Sequence, residues 1–348
     1  MPDTKSNPGN FFEDFHPGRE LVHATPLTLS EGDIALYRAL TGSRQALYSS
    51  APFARAAGFD GLPVDPLLAF HVVFGKTVPD ISLNAVANLG YGEGRFLRPV
   101  YAGETLRAVS EVIGRKENSN GRTGVVWVRT RGLDSEDAPV MSYVRWVMVH
   151  KREAASPAPD PVVPDLADAV TPDALVTGAD YGAWNDDLSG SPHRYEDYEI
   201  GERIDHVDGM CVEEAEHQTA TRLYQNTARV HFDAHAQKDS RFGRRLIYGG
   251  VVISIARALS FNGLGNACQM LALNGGTHAG PLFAGDTVYA WSEILDKAEL
   301  GDRVGALRLR LVAAKDHPCS DFPLRGEDGR YVPDVLLDFD YWAAIPRR

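Results

Sequence analysis

The chain repeats itself. FFEDFHPGREL begins at Phe11 and returns as RYEDYEIGERI from Arg194, an offset of 183. Tyr48 then falls opposite His231, and Phe59 opposite Phe242, at the same spacing. RPVYAGETLRAVSEV (Arg98 to Val112) returns as GPLFAGDTVYAWSEI (Gly280 to Ile294) at an offset of 182. A match held in register over about ninety residues marks a tandem duplication with diverged halves. Between the halves runs EAASPAPDPVVPDLADAVTPDA, whose Pro157, Pro159, Pro161, Pro164 and Pro172 remove backbone donors and favour extended chain. The expected division is residues 1–152, a proline-rich linker over 153–189, and residues 190–348.

Each half reads alike. Ser30 with Asp33 makes a capping box, followed by Ile34, Tyr37 and Leu40 on one helical face. PLLAFHVVFG (Pro66 to Gly75) and its counterpart GVVISIARALSF (Gly250 to Phe261) are apolar nearly all round, which predicts helices enclosed by protein. Strands follow. Leu307, Leu309 and Leu311 alternate with Arg308 and Arg310, and Leu337, Phe339 and Tyr341 with Asp338 and Asp340. VVWVRTRG and SYVRWVMVH do the same in the first half. The predicted unit is α+β, a long buried helix wrapped by an antiparallel sheet, present twice.

The balance of 35 basic and 47 acidic residues gives a net charge of −12, which argues against nucleic acid and acidic membranes as partners. Cys211, Cys268 and Cys319 lie far apart without a C-x-x-C, so neither a disulfide framework nor a zinc ribbon is expected. MPDTKSNPGNFFEDF has no apolar leader, and no apolar run approaches the roughly 18 residues of a membrane helix. A cytoplasmic protein is expected.

Three segments could carry chemistry. YQNTARVHFDAH (Tyr224 to His235) places His231, Asp233 and His235 at alternate positions, but in a segment that reads as a loop entering a helix, where they do not share a face. No further metal ligand is evident, and no metal is expected. What singles out His231 is position, between the two helices of its half at a repeat location where the other half has lost its histidine. Arg222, Arg229, Arg241, Arg244 and Arg245 gather just before the second buried helix and form a candidate anion site in an otherwise acidic chain. Gly249 and Gly250 open that helix, and their free N–H groups could polarise a carbonyl oxygen. GYGEG (Gly90 to Gly94) lacks the spacing and the strand–helix frame of a dinucleotide loop and reads as a turn before a strand. There is no P-loop and no G-x-S-x-G elbow.

TGSRQALYSSAPFARAAGFDGLPV, the apolar helix after it and RPVYAGETL together resemble the MaoC-like hydratases of the hot-dog fold. Their signature runs Y-x-x-[TS]-G-D-x-N-P-[IV]-H-x-[DN], then G-x-x-x-H-G, then P-V-x-x-G-D-T-L. The resemblance covers both halves and implies a double hot-dog. It implies a hydro-lyase that adds water reversibly to the double bond of an acyl-CoA thioester, with no cofactor beyond the CoA of the substrate. By the same resemblance a homo-oligomer is expected.

The departures are specific. In the first half Ser43, Gln45, Ala46 and Tyr48 replace the signature aspartate, asparagine, proline and histidine, which predicts a catalytically silent copy. In the second half the histidine survives as His231, the aspartate is Asn226, and the turn histidine is Tyr248 with Gly249 retained. His231 is then expected to move the proton and Asn226 to orient the water. Asp233 is either a helper or structural. Asparagine suits an acyl group that carries its own carboxylate, which an aspartate would repel; an arginine from the group above, with Tyr248, is expected at the acyl end. A broad (R)-specific enoyl-CoA hydratase, a hot-dog thioesterase and a non-catalytic acyl-CoA binder are the competing readings.

Overall fold

Ser30 caps the first helix as its spacing predicts: its hydroxyl accepts from the Asp33 N–H, and Asp33 accepts in return from the Ser30 N–H. From that helix (Glu31–Thr41) the chain reaches the first central helix, Pro66–Thr77, which starts at Pro66 with the Asp65 carboxylate accepting from the Leu67 N–H. All of its residues from Leu67 to Thr77 are buried, as expected of a helix without a polar stripe. The second half repeats the plan with Glu214–Leu223 and the second central helix, Gly249–Leu259. The computed structural model describes residues 5–348.

The strands of the first half are β1 (Glu20–Thr28), β2 (Ala85–Phe96), β3 (Thr105–Glu117), β4 (Thr123–Leu133) and β5 (Pro139–His150). Those of the second are β6 (Arg203–Cys211), β7 (Gln269–His278), β8 (Thr287–Glu299), β9 (Val304–Lys315) and β10 (Val335–Pro346). They form one ten-stranded antiparallel sheet in the order β1-β3-β4-β5-β2-β7-β10-β9-β8-β6. That order is the same five-strand pattern read outward from its centre in both directions. The duplication is thus a pseudo-twofold arrangement of two hot-dog units, joined where β2 pairs with β7.

GYGEG lies inside β2, not in the turn its glycines suggest. A Cβ on Gly90 would stand 2.2 Å from the Trp146 ring, and one on Gly94 2.8 Å from the Leu273 side chain across the β2–β7 seam. The glycines let side chains from both halves close over the joint, a use that local sequence does not distinguish from a turn.

The alternating strands fold as their pattern predicts. Leu307, Leu309 and Leu311 are fully buried, each worth about 2 kcal/mol of apolar burial. On the other face Arg308 pairs with Asp340 at 2.6 Å and Arg310 with Asp338 at 3.1 Å. The proline-rich segment ties the halves together. It bridges to the first half at Arg115–Val162, and the Trp342 indole donates to the Val170 carbonyl at 2.9 Å.

Paired histidines show the repeat at atomic scale. His23 bonds Ser110 at 2.8 Å, and its counterpart His206 bonds Ser292 at 2.8 Å. His71 and Ser254, which occupy equivalent positions on the two central helices, bond each other at 2.8 Å across the pseudo-axis.

Candidate active site

The catalytic segment of the second half rests on the first half's central helix. A Cβ on Gly75 would fall 1.8 Å from the Tyr224 carbonyl oxygen, so only glycine lets the helix lie against this turn. Gln225 takes a left-handed φ of 55°, and its amide oxygen accepts from Lys76 Nζ at 3.0 Å. Lys76 is buried without a carboxylate partner, and burial pushes its pKa down to about 8. Asn226 follows, 2% exposed, with its Oδ1 accepting from the Ala228 N–H at 3.1 Å. With that oxygen engaged, what Asn226 offers to a ligand is the two donors of its NH2 group.

A single helical turn, Arg229–Phe232, carries His231. Its Nδ1 lies 3.0 Å from the Leu246 carbonyl oxygen, which can only accept. The proton therefore sits on Nδ1, and Nε2 presents a lone pair. Burial drives the His231 pKa down to about 4, against the raising effect of the Leu246 hydrogen bond. The ring is a neutral base far below the ordinary range. For hydration, kcat/KM measured against pH is expected to hold through pH 6.5 and fall only as the pH drops through about 4, where His231 protonates. An acid limb centred near the ordinary value of about 6.5 would contradict a desolvated base.

His231 faces the start of the second central helix. Its ring lies 5.4 Å from that of Tyr248, the residue before the helix. The Tyr248 N–H donates to His217 Nε2 at 3.0 Å, which leaves Gly249 and Gly250 as the first helical residues with N–H groups that no preceding turn can accept. Both positions are closed to side chains. A Cβ on Gly249 would sit 2.3 Å from the His278 ring; one on Gly250 would sit 2.3 Å from Tyr248 and 2.6 Å from His71. A helix N-terminus, two free amides and a neutral imidazole thus converge. That is the equipment to hold a thioester oxygen as it gains charge while a base works beside it.

The family's sequence pattern, described as mesaconyl-CoA hydratase, matches residues 2–321. A mesaconyl-CoA hydratase of Cereibacter sphaeroides is 63% identical over 99% of this chain and 100% of its own length. The chain belongs to the mesaconyl-CoA hydratase family. A β-methylmalyl-CoA dehydratase of Chloroflexus aurantiacus is 58% identical over 99% of both chains. Among known structures, a MaoC-domain dehydratase protein of Chloroflexus aurantiacus superposes with a TM-score of 0.97 at 56% identity, covering 99% of this chain and 100% of that one. A double hot-dog protein of Mycobacterium tuberculosis superposes at 0.77 with 27% identity, covering 97% and 99%.

Within this mesaconyl-CoA hydratase framework the structure gathers His231, Tyr248, Gly249 and Gly250, while Asn226 is buried in the turn that leads to His231. Asp233 turns away to close its own loop, accepting from the N–H groups of His235 and Ala236, both at 3.0 Å. The arginine group is dispersed. Arg222 and Arg229 are exposed, Arg241 lies over Phe242, Arg244 stacks on Phe283 at 3.8 Å, and Arg245 pairs with Glu214. In the first half Tyr48 is packed with Phe53 and Trp184 in an apolar cluster.

Three histidines that sequence reasoning did not single out surround the site. Burial lowers His217 to about 3, with His231 and Arg245 adding to the effect, and His278 to about 4, with His231 adding. His71 falls to about 3 for the same reason, with His278 adding. All three are neutral near pH 7 and act by shape and hydrogen bonding. Nothing local marks them, because each reaches the site from a different element, and His71 comes from the other half.

Proposed function

We propose that this chain interconverts β-methylmalyl-CoA and mesaconyl-C1-CoA, adding water to the conjugated thioester or removing it. The observation that carries the reading is the His231 imidazole, locked by the Leu246 carbonyl with Nε2 as a free base beside the Gly249–Gly250 helix start. The names of the two relatives supply the substrate. In hydration, Nε2 takes a proton from a water held by the Asn226 NH2 group, and the water oxygen bonds the β-carbon. The double-bond electrons move toward the thioester, whose oxygen is held by the helix-start amides. The imidazolium then delivers its proton to the α-carbon, which restores the neutral base. Loss of mesaconyl-CoA absorbance with formation of β-methylmalyl-CoA tests the reading directly. Release of free thiol without consumption of the double bond would instead make the protein a thioesterase.

Asn226 is the residue that sets this site apart from the aspartate-bearing hydratases it resembles. Asn226→Asp keeps an oxygen for the Ala228 N–H but replaces two donors by a negative charge. Hydration of mesaconyl-CoA is expected to fall at least tenfold further than hydration of crotonyl-CoA, which has no second carboxylate. Equal losses on the two substrates would remove the electrostatic reason for asparagine.

A further inference from the structure

Arg145 is a buried cation without a counter-charge. It stands on β5 of the silent half, opposite Tyr91 of β2 in the strand register, and is completely inaccessible. Its guanidinium lies 4.2 Å above the Phe74 ring. Nη2 donates to Thr77 Oγ1 at 2.7 Å, while Nε and Nη1 have no partner among the described residues. An arginine cannot discard its proton at neutral pH, so burial normally obliges it to pair.

The duplication supplies an internal control. Phe74 occupies the position of Arg257 in the second half, and Arg145, one residue before Trp146, that of Tyr341 before Trp342. Cation and ring have exchanged places, with Arg257 lying 5.5 Å from the Tyr341 ring. Arg257 is also buried, but both its terminal nitrogens are in use. Nη1 donates to Ser260 Oγ at 2.8 Å, and Nη2 to the carbonyls of Ala267 and Cys268. Arg257 therefore serves the fold. Arg145 has no such set of acceptors, and a purely structural role leaves its two free nitrogens unexplained.

Its surroundings lead to the site. Phe74, beneath the guanidinium, lies 5.7 Å from the Tyr248 ring, and Tyr248 lies 5.4 Å from His231. Tyr91, beside Arg145, brings its hydroxyl 3.2 Å from His278 Nε2, the ring that abuts Gly249. The Tyr248 hydroxyl is itself buried without a partner. Free guanidinium donors and a free phenol thus lie along one run of ring contacts, from Arg145 through Phe74 and Tyr248 to His231. A guanidinium fork is the side-chain group whose donor geometry suits a planar carboxylate.

We infer that Arg145, with the Tyr248 hydroxyl, binds the free carboxylate at the end of the acyl group, so that the silent half supplies the substrate specificity of the active one. This rests on the proposed reaction, in which that carboxylate is attached to the carbon that receives water. It moves the role expected of Arg222, Arg229, Arg244 and Arg245 to a residue of the other repeat.

The test compares succinyl-CoA with butyryl-CoA, which differ by a carboxylate in place of a methyl and need no catalysis to be bound. By calorimetry the unaltered protein is expected to bind succinyl-CoA at least about 30-fold more tightly. In Arg145→Gln the preference is expected to shrink to about threefold or less, and Arg145→Lys, which keeps the charge but loses the fork, to retain an intermediate value. A folded Arg145→Gln protein that keeps the full preference overturns the assignment, as does an unaltered protein that shows none. If the glutamine variant does not fold, Arg145→Lys decides, since an undiminished preference there also overturns it. Failure of the unaltered protein to hydrate mesaconyl-CoA, with the succinyl preference intact, would instead refute the proposed reaction and leave the carboxylate site standing.

Discussion

His231→Ala is expected to lower kcat for mesaconyl-CoA hydration by about 10³-fold to 10⁴-fold, the upper range for losing a positioned acid–base group. The magnitude follows from the site's economy of titratable groups. Asn226 cannot accept a proton, and the Asp233 carboxylate is engaged by its own loop. His217 spends its Nε2 lone pair on the Tyr248 N–H. His278 Nε2 faces the Tyr91 hydroxyl. The variant should remain folded, because what the ring gives the fold is one hydrogen bond to the Leu246 carbonyl and its edge against Tyr248. Progress curves following the loss of conjugated-thioester absorbance, with a parallel melting curve, would measure both. Turnover within tenfold of the unaltered enzyme, in a folded variant, would transfer the proton to another group and overturn the mechanism.

Gly250→Ala is expected to cost about 10²-fold to 10³-fold in kcat while leaving the His231 side chain untouched. The added methyl would stand 2.3 Å from the Tyr248 ring and 2.6 Å from the His71 ring, so at least one must move. His71 is held by Ser254 at 2.8 Å, and the Tyr248 ring is packed among those of Phe74, Tyr224 and His231. Relief therefore comes from the helix start, whose amides shift away from the thioester oxygen. Overpacking of this kind also costs about 1–3 kcal/mol of stability. The kinetic signature is a fall in kcat larger than any change in KM, since the oxygen gains charge only in the transition state. A lower melting temperature with unchanged kcat would show that the helix start carries no catalytic load.

Much of this was readable from residue order. The repeat announced two copies of one unit, the Ser30–Asp33 box placed a helix start, and the period-two runs around Leu309 and Phe339 became β9 and β10. These are local properties of spacing and polarity. His231, Asn226 and the glycine pair could be proposed from sequence because they stand in one stretch of a recognisable pattern. GYGEG misled because glycine serves a turn and a close strand contact equally well. The arginine cluster misled because proximity in sequence does not make a shared surface: Arg244 and Arg245 diverge onto Phe283 and Glu214.

Sequence by itself determined that the chain is a diverged duplication in which one copy keeps the signature histidine and the other has Tyr48 in its place, since repetition and substitution are written residue by residue. Only the tertiary structure decided how the first half meets the second. Pairing β2 with β7 and packing Gly75 onto Tyr224 bring Lys76 against Gln225 and His71 against Ser254 of the other repeat. Burial then settles their chemistry. It keeps the histidines neutral, and it leaves an arginine that cannot become neutral with donors still to be satisfied. Neither effect exists until the two halves enclose the space between them.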